Sequence, residues 1–270
     1  MPTLYVVATP IGNLEDVSIR ALRILSEVPL IAAEDTRKTR RLLKAYGIRT
    51  RLTSYHEHTR DAKLHFLLNH LNEDDLAMVS EAGMPGISDP GYELVVAAAQ
   101  SGIPIVPIPG PSALTTALAV SGLPTDEFVY LGFLPRRKGQ RRQLLQQVAA
   151  EERTIIAFEA PHRLTATLKD ILDTLGDRRI AVCRELTKLH EEVFRGTVSE
   201  AAARFQEPIG EFTLVVEGSL GQQGGLTPAI EEELRRLYEE GFSAKDAMSQ
   251  MVKASGVSRR ELYQAWLKLA

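Results

Sequence analysis

Three loops rich in glycine and proline hold the residues whose types suit small-molecule chemistry: Thr9 to Asn13, Glu81 to Asp89, and Pro109 to Ser112. Each follows a short apolar run that reads as a strand. A loop of this composition presents bare backbone N–H and C=O groups at the carboxyl end of a strand, where open α/β sheets bind ligands. Two of the loops lead into helical patterns, at Ser112 and at Asp89, with Asp89 as the expected N-cap and Pro90 at the first helical position. Helix N-termini add free N–H groups and partial positive charge. The glycine spacing matches neither G-x-G-x-x-G nor G-x-x-x-x-G-K-[ST], which argues against NAD and ATP. Tight turns that bind nothing are the competing reading.

Charged residues mark further candidates. Asp35 and Arg37 end the second predicted strand, where Asp35 or Thr36 also suits a plain helix N-cap. Arg184, Glu185 and Lys188 end a strand in the second half, facing either a cleft or solvent. His56-Glu57-His58 lacks the additional ligands of a metal site, so no metal is expected. Arg136, Arg137, Lys138, Arg141 and Arg142 put five basic residues into seven positions with no interleaved acid. Phosphate binding explains that run better than a solvated helix face, because the whole chain carries a net charge of -3.

The elements that must position these residues alternate. Strands at 4–9, 30–33, 51–54, 76–80 and 104–108 are interleaved with helices at 17–26, 36–46, 61–71, 92–101 and 112–121. That pattern predicts an α/β fold with a mostly parallel sheet flanked by helices. Gly122 to Thr125 interrupts it, and a second α/β unit follows, also expected to be mostly parallel. Its strands are placed at 128–132, 154–158, 180–184 and 212–216, and its helices at 139–150, 161–175 and 199–205. The expected domains are 1–123 and 124–219, then a linker over 220–226 and a helical extension over 227–270. In the extension, Ser243-x-x-Asp246 and Ser258-x-x-Glu261 resemble capping boxes. Ala244, Ala247, Met251 and Val252 would pack on Leu262, Tyr263 and Trp266 across a turn at Gly256. The pair fits either a helix-turn-helix RNA binder or a packing or dimer element.

Composition bounds the class. The 270 residues are 44% hydrophobic and 25% charged, as in ordinary globular chains. Cys183 is the one cysteine, so no disulfide forms within the chain. No apolar run approaches the ~18 residues of a membrane span, and no basic leader precedes the first strand. A cytoplasmic protein without membrane contact is expected.

Seven motifs recur in one order: Thr9 to Leu14, Ala33 to Arg37, Ser80 to Gly91, Pro109 to Ala113, Gly132 to Arg136, Phe158 to Arg163, and Cys183 to Lys188. Together they resemble the bacterial methyltransferase I family that acts on small-subunit ribosomal RNA, within the tetrapyrrole-methylase-like (class III) superfamily. The resemblance covers nearly all of 4–219 and, less specifically, the tail. It implies the two-domain fold of that superfamily and S-adenosyl-L-methionine as methyl donor. It implies a homodimer acting on the ribose 2'-hydroxyl of a cytidine in the decoding region of ribosomal RNA, within the assembled small subunit. Pro10, Met84, Gly86, Ile87, Ser112 and Ala113 map to donor-contacting positions, with Glu159, Phe212 and Thr213 as further ones. The superfamily's Gly-Asp-Pro is Gly83-Met84-Pro85 here, so donor contacts at 84 would be mainly backbone. Asp35, His56, Glu57, Glu185 and Lys188 are then the candidates for the base, and Arg37, Arg184 and the 136–142 run for RNA phosphates. A corrin or porphyrin methylase and a non-catalytic RNA-binding assembly factor are the alternatives.

Overall fold

The structure is a computed structural model that describes residues 1–55, 60–219, 227–255, 257 and 259–269. Its first sheet contains β1 (Leu4–Val7), β2 (Leu30–Ala33), β3 (Arg51–Ser54), β4 (Leu76–Val79) and β5 (Ile105–Ile108), in the order β3-β2-β4-β1-β5 and parallel throughout. The central strands are apolar on both faces, as helix-covered parallel strands must be. Leu30, Ala32, Leu76 and Met78 enter one core, and Ile31, Ala33, Ala77 and Val79 the other. That alternation follows from the two-residue period of a strand.

Helices α1 (Ile19–Glu27), α2 (Thr36–Ala45), α3 (Arg60–Leu71), α4 (Tyr92–Gln100) and α5 (Ala113–Ser121) connect the strands or follow them. Ser18 caps α1 by accepting from the Ala21 N–H, and Asp35 caps α2 by accepting from the N–H groups of Arg37 and Lys38. The expected cap of α4 is not formed. Gly91, at φ 137°, occupies the N-cap position, and the helix starts at Tyr92. That φ is one L side chains rarely adopt, which favours glycine, and a Cβ there would also press on the end of the Met78 side chain at 2.8 Å. Ser88, at φ 62°, turns the loop in advance of Asp89. Ser112 holds the N-cap position of α5 without a side-chain bond to the helix.

The second sheet contains β6 (Phe128–Phe133), β7 (Thr154–Glu159), β8 (Arg179–Arg184), β9 (Glu192–Thr197) and β10 (Phe212–Val216), ordered β6-β7-β10-β8-β9. Only β6 and β7 pair parallel; β10 with β7, β10 with β8, and β8 with β9 pair antiparallel. The α/β class holds, but the mostly parallel expectation for this sheet does not. The short 185–191 connection has no crossover helix, so β9 must turn back along β8. β10 then returns between β7 and β8. Helices α6 (Lys138–Gln147), α7 (Pro161–Leu175) and α8 (Val198–Arg204) complete this half.

Both sheets belong to one compact unit, residues 1–146 with 153–217. Helix α5 explains the joint: Leu114, Ala117 and Leu118 pack with Ile156, Ala181 and Val215 of the second sheet. A second unit comprises 147–152 and 218–270. There α9 (Pro228–Glu239), α10 (Ala244–Ser255) and α11 (Arg259–Leu267) enclose Leu234, Leu237, Ala247, Met248, Met251, Leu262 and Trp266. The expected seam is corrected in two places. Val252 and Tyr263 are exposed, and Leu234 and Leu237 of α9 take part instead. Ser243 caps α10 by accepting from the Asp246 N–H at 3.2 Å, and its hydroxyl also donates to Asp246 Oδ2 at 2.6 Å. The 220–226 linker, Gly256 and Ser258 of the second capping box lie outside the described residues.

Candidate active site

The strand order brings the three loops together. β4, β1 and β5 are neighbours, so their carboxyl ends open side by side. Thr9 and Gly83 join two of the loops through paired backbone bonds of 2.9 and 3.0 Å. Above them lies a cavity of about 440 Å³, within the usual size of a small-ligand site. Ile11, Ala82, Met84, Ile87 and Ala113 line it from the first half, and Phe133, Phe158, Leu186 and Phe212 from the second. Glu34, Glu81, Asp89, Glu159 and Glu211 also line it, whereas no lysine, arginine or histidine does among the described residues. Apolar walls carrying only acidic charge suit a cationic ligand with a flat apolar part and disfavour a phosphate.

Most of the expected donor positions reach this cavity. Met84, Ile87, Ser112, Ala113, Glu159, Phe212 and Thr213 line it. Pro10 and Gly86 do not; Ile11 stands in the wall beside Pro10, and Gly86 shapes the loop at φ 83°. Glu159 is engaged within its own fold. Its carboxylate accepts from the Ala160 N–H at 2.7 Å and the Thr167 hydroxyl at 2.5 Å, and Arg163 lies 2.5 Å away. Cys183 also lines the cavity, but burial pushes its thiol up to about 12, so it stays protonated and inert at neutral pH.

The expected bases fare differently. Asp35 is held below the usual carboxylate range by the backbone N–H groups of Arg37 and Lys38, as a cap. Burial would raise the Glu185 carboxyl and lower the Lys188 ammonium, but their mutual bond of 2.8 Å reverses both. Glu185 also accepts from the Glu211 N–H at 2.8 Å, and Lys188 Nζ lies 3.0 Å from the Glu211 carboxylate. None of these three residues lines the cavity, and each is held in its charged form. His56 and Glu57 lie outside the described residues.

Asp89 is the carboxyl that sequence reasoning misplaced. Burial, with the charges of Glu34 and Glu81 nearby, pushes it up to about 7, against a hydrogen bond from Ser80. Burial also raises Glu34, whose carboxylate accepts from the Glu81 N–H at 2.9 Å. Glu81 in turn pairs with Lys38. The signal was present, since Glu34 and Asp89 both sit inside the recurring motifs, but an Asp before Pro reads first as a helix cap. Ser88 next to it shares a 2.6 Å hydrogen bond with the Tyr130 hydroxyl on β6, which ties this loop to the second sheet.

The basic run divides. Arg136, Arg137 and Lys138 are exposed. Arg141 is buried, with Nε and Nη2 donating to Asp170 at 2.9 and 2.5 Å, and Arg142 donates to Asp170 at 2.7 Å and pairs with Asp173. Those two are structural residues rather than free phosphate ligands. Arg184 donates to the Ile209 carbonyl at 2.7 Å and faces Glu192 at 3.5 Å. Arg37 is exposed, 3.8 Å from Asp35.

Residues 3–202 match the model of the tetrapyrrole (corrin/porphyrin) methylases. A ribosomal RNA small subunit methyltransferase I from Halalkalibacterium halodurans is 48% identical over 98% of this chain and 94% of that protein. One from Synechocystis sp. is 49% identical over 100% of this chain and 99% of that protein. The chain belongs to the ribosomal RNA small subunit methyltransferase I family of tetrapyrrole methylases. Solved structures of the wider superfamily agree in fold. A uroporphyrin-III C-methyltransferase from Thermus thermophilus has a TM-score of 0.55 at 20% identity, covering 80% of this chain and 94% of that one. A cobalt precorrin-4 methyltransferase has a TM-score of 0.59 at 16% identity over 80% and 94%. Among the described residues no helix is long and apolar enough to cross a membrane.

Proposed function

We propose that the chain methylates the ribose 2'-hydroxyl of a cytidine in the decoding region of small-subunit ribosomal RNA, with S-adenosyl-L-methionine as donor. The observation that carries this reading is the acid-lined, aromatic-walled cavity at the joined loops. A sulfonium cation with an adenine ring meets its charge and its apolar surface; a nucleotide phosphate would meet neither. The names of the family relatives support ribosomal RNA as the acceptor. Kinship extends the proposal to a cytoplasmic homodimer that works on the assembled small subunit.

Backbone groups of 82–87 and 112–113, with Phe133, Phe158 and Phe212, would hold the donor. When bound, the donor supplies a methyl group already activated for in-line displacement. The protein must orient the ribose oxygen, exclude water and remove a proton. Asp89 is the proposed base. It lines the cavity and is about half ionised near neutral pH, the poise a general base needs. The Ser88–Tyr130 hydrogen bond ties its loop to the second sheet.

The test is transfer of labelled methyl to purified small subunits, with alkaline digestion of the RNA. Label in an alkali-resistant dinucleotide supports ribose methylation; label in free nucleotides or in an added porphyrin overturns it. Asp89→Asn is expected to lower turnover by about 10²–10⁴-fold, far more than it weakens donor affinity, because Glu34, Glu81, Glu159 and Glu211 still line the cavity.

A further inference from the structure

We infer that the outer face of α2, the turn after it and the start of β3 form a docking strip for the phosphate backbone of folded RNA, separate from the cavity; this rests on ribosomal RNA being the acceptor. Between Thr36 and Arg51 the chain has seven basic residues and no acidic one: Arg37, Lys38, Arg40, Arg41, Lys44, Arg49 and Arg51. All seven are exposed, while Thr39, Leu42 and Leu43 turn the other face of α2 into the core. Lys38 pairs with Glu81, and Arg37 sits near its own cap. The side chains of Arg40, Arg41, Lys44, Arg49 and Arg51 have no carboxylate partner among the described residues. Arg40, Lys44, Arg49 and Arg51 line an open groove of about 660 Å³, together with Thr50, Gly47 and the apolar Leu43, Ile48 and Leu52.

Helix stability does not account for this pattern. Arg37 with Arg41 and Arg40 with Lys44 are like charges one turn apart, each mildly unfavourable. Arg37 and Lys38 stand in the first turn, where the helix dipole disfavours cations. The phosphates of a polyanion laid along the strip would offset both costs with their negative charge, and the counterions they release would favour binding. The strip also leads to the cavity. α2 begins two residues after the cavity-lining Glu34, and Lys38 pairs with the cavity-lining Glu81. RNA held on the strip is therefore held beside the acid-lined cleft without placing its phosphates inside it.

The experiment replaces Arg40, Arg41, Lys44, Arg49 and Arg51 together by Gln in the full chain, a residue of similar helix propensity. Binding to protein-free small-subunit RNA is measured by filter retention between 50 and 200 mM salt. A methyl-donor affinity by calorimetry and a thermal melt report that the cavity and fold are intact. Affinity for the RNA is expected to fall at least about tenfold at 100 mM salt. With ~0.7–0.9 per lost phosphate contact, the slope of log K against log salt should shrink by up to ~3.5–4.5. Unchanged affinity and slope overturn the proposal. So does loss of binding to intact subunits with unchanged binding to protein-free RNA, which would make the partner an acidic protein surface. Wild-type chain that binds the RNA through this strip but transfers no methyl to purified small subunits would refute the proposed activity and leave the strip standing.

Discussion

Arg141 and Arg142 lie in a run of five basic residues among seven positions, yet they are engaged by Asp170 and Asp173 of α7. Arg40, Arg41 and Lys44 on α2 belong to an equally basic stretch and meet no carboxylate among the described residues. Local composition is the same in kind; the partner across space differs. The first cluster uses charge to fasten α6 to α7 and leaves only Arg136, Arg137 and Lys138 outside. The second keeps nearly all its charge available. Absence of nearby acid in the sequence is therefore a poor guide to free positive charge, because acids 28 or 29 residues away can supply it.

The largest effect expected from this contrast is on folding. Asp170→Ala leaves the buried Arg141 guanidinium without its partner and should cost about 3–5 kcal/mol. Thermal melts would register this as a fall of ~6–20 °C. A variant as stable as wild type that binds RNA more tightly would show that Arg141 was never structural. Next in size is the salt dependence of RNA binding, where the five-fold Gln variant on α2 and β3 should lose several phosphate contacts. Asp170→Ala, measured below its own melting range, should leave that slope within about one contact.

The carboxylates sharpen the same contrast through pH. Asp89 ordinarily titrates near 3.8 and in the fold near about 7, so between those values the folded chain binds a proton that the unfolded chain has lost. Stability should therefore fall as pH rises from about 4 through about 7, and Asp89→Asn should flatten that fall in urea titrations. Asp170 acts in the opposite sense. Burial alone would raise it, but hydrogen bonds from Arg142 and Arg141 hold it below its usual range. Its contribution is present above that range and is lost as pH drops through the depressed value. A stability profile that climbs between pH 5 and 8 in wild type and not in Asp89→Asn would reverse the assignment. The smallest effects belong to Arg136→Ala and Lys138→Ala. Both side chains are exposed, so stability should stay within about 0.5 kcal/mol. Each should change the salt slope by less than about one.

Much of the fold was legible for identifiable reasons. Leu30 to Ala33 reads as a strand because four apolar residues lie between breakers, and it is buried throughout. Asp35 reads as a cap and is one. Glu192 to Thr197 was missed because an edge strand, paired on one side only, tolerates the charges and glycine that disguise it. Asp89 was misread because Asp-Pro is a good helix start, and the competing feature, Gly91 crossing Met78, depends on a residue from another strand. The cavity-lining positions Met84, Ile87, Ser112 and Ala113 came from motif resemblance, and the proposed base did not, since Asp35, Glu185 and Lys188 look no less suitable than Asp89 until their partners are known.

Periodicity, caps and loop composition lie along the chain, so the sequence by itself determined the order of the strands and helices other than the edge strand β9, and the three loops that meet at the cavity. Strand order, and with it the meeting of those loops, was decided in three dimensions. So was the standing of each charged group. Desolvation and Coulomb attraction act through space, and the residues that set them for Arg141, Asp170 and Asp89 are distant in sequence.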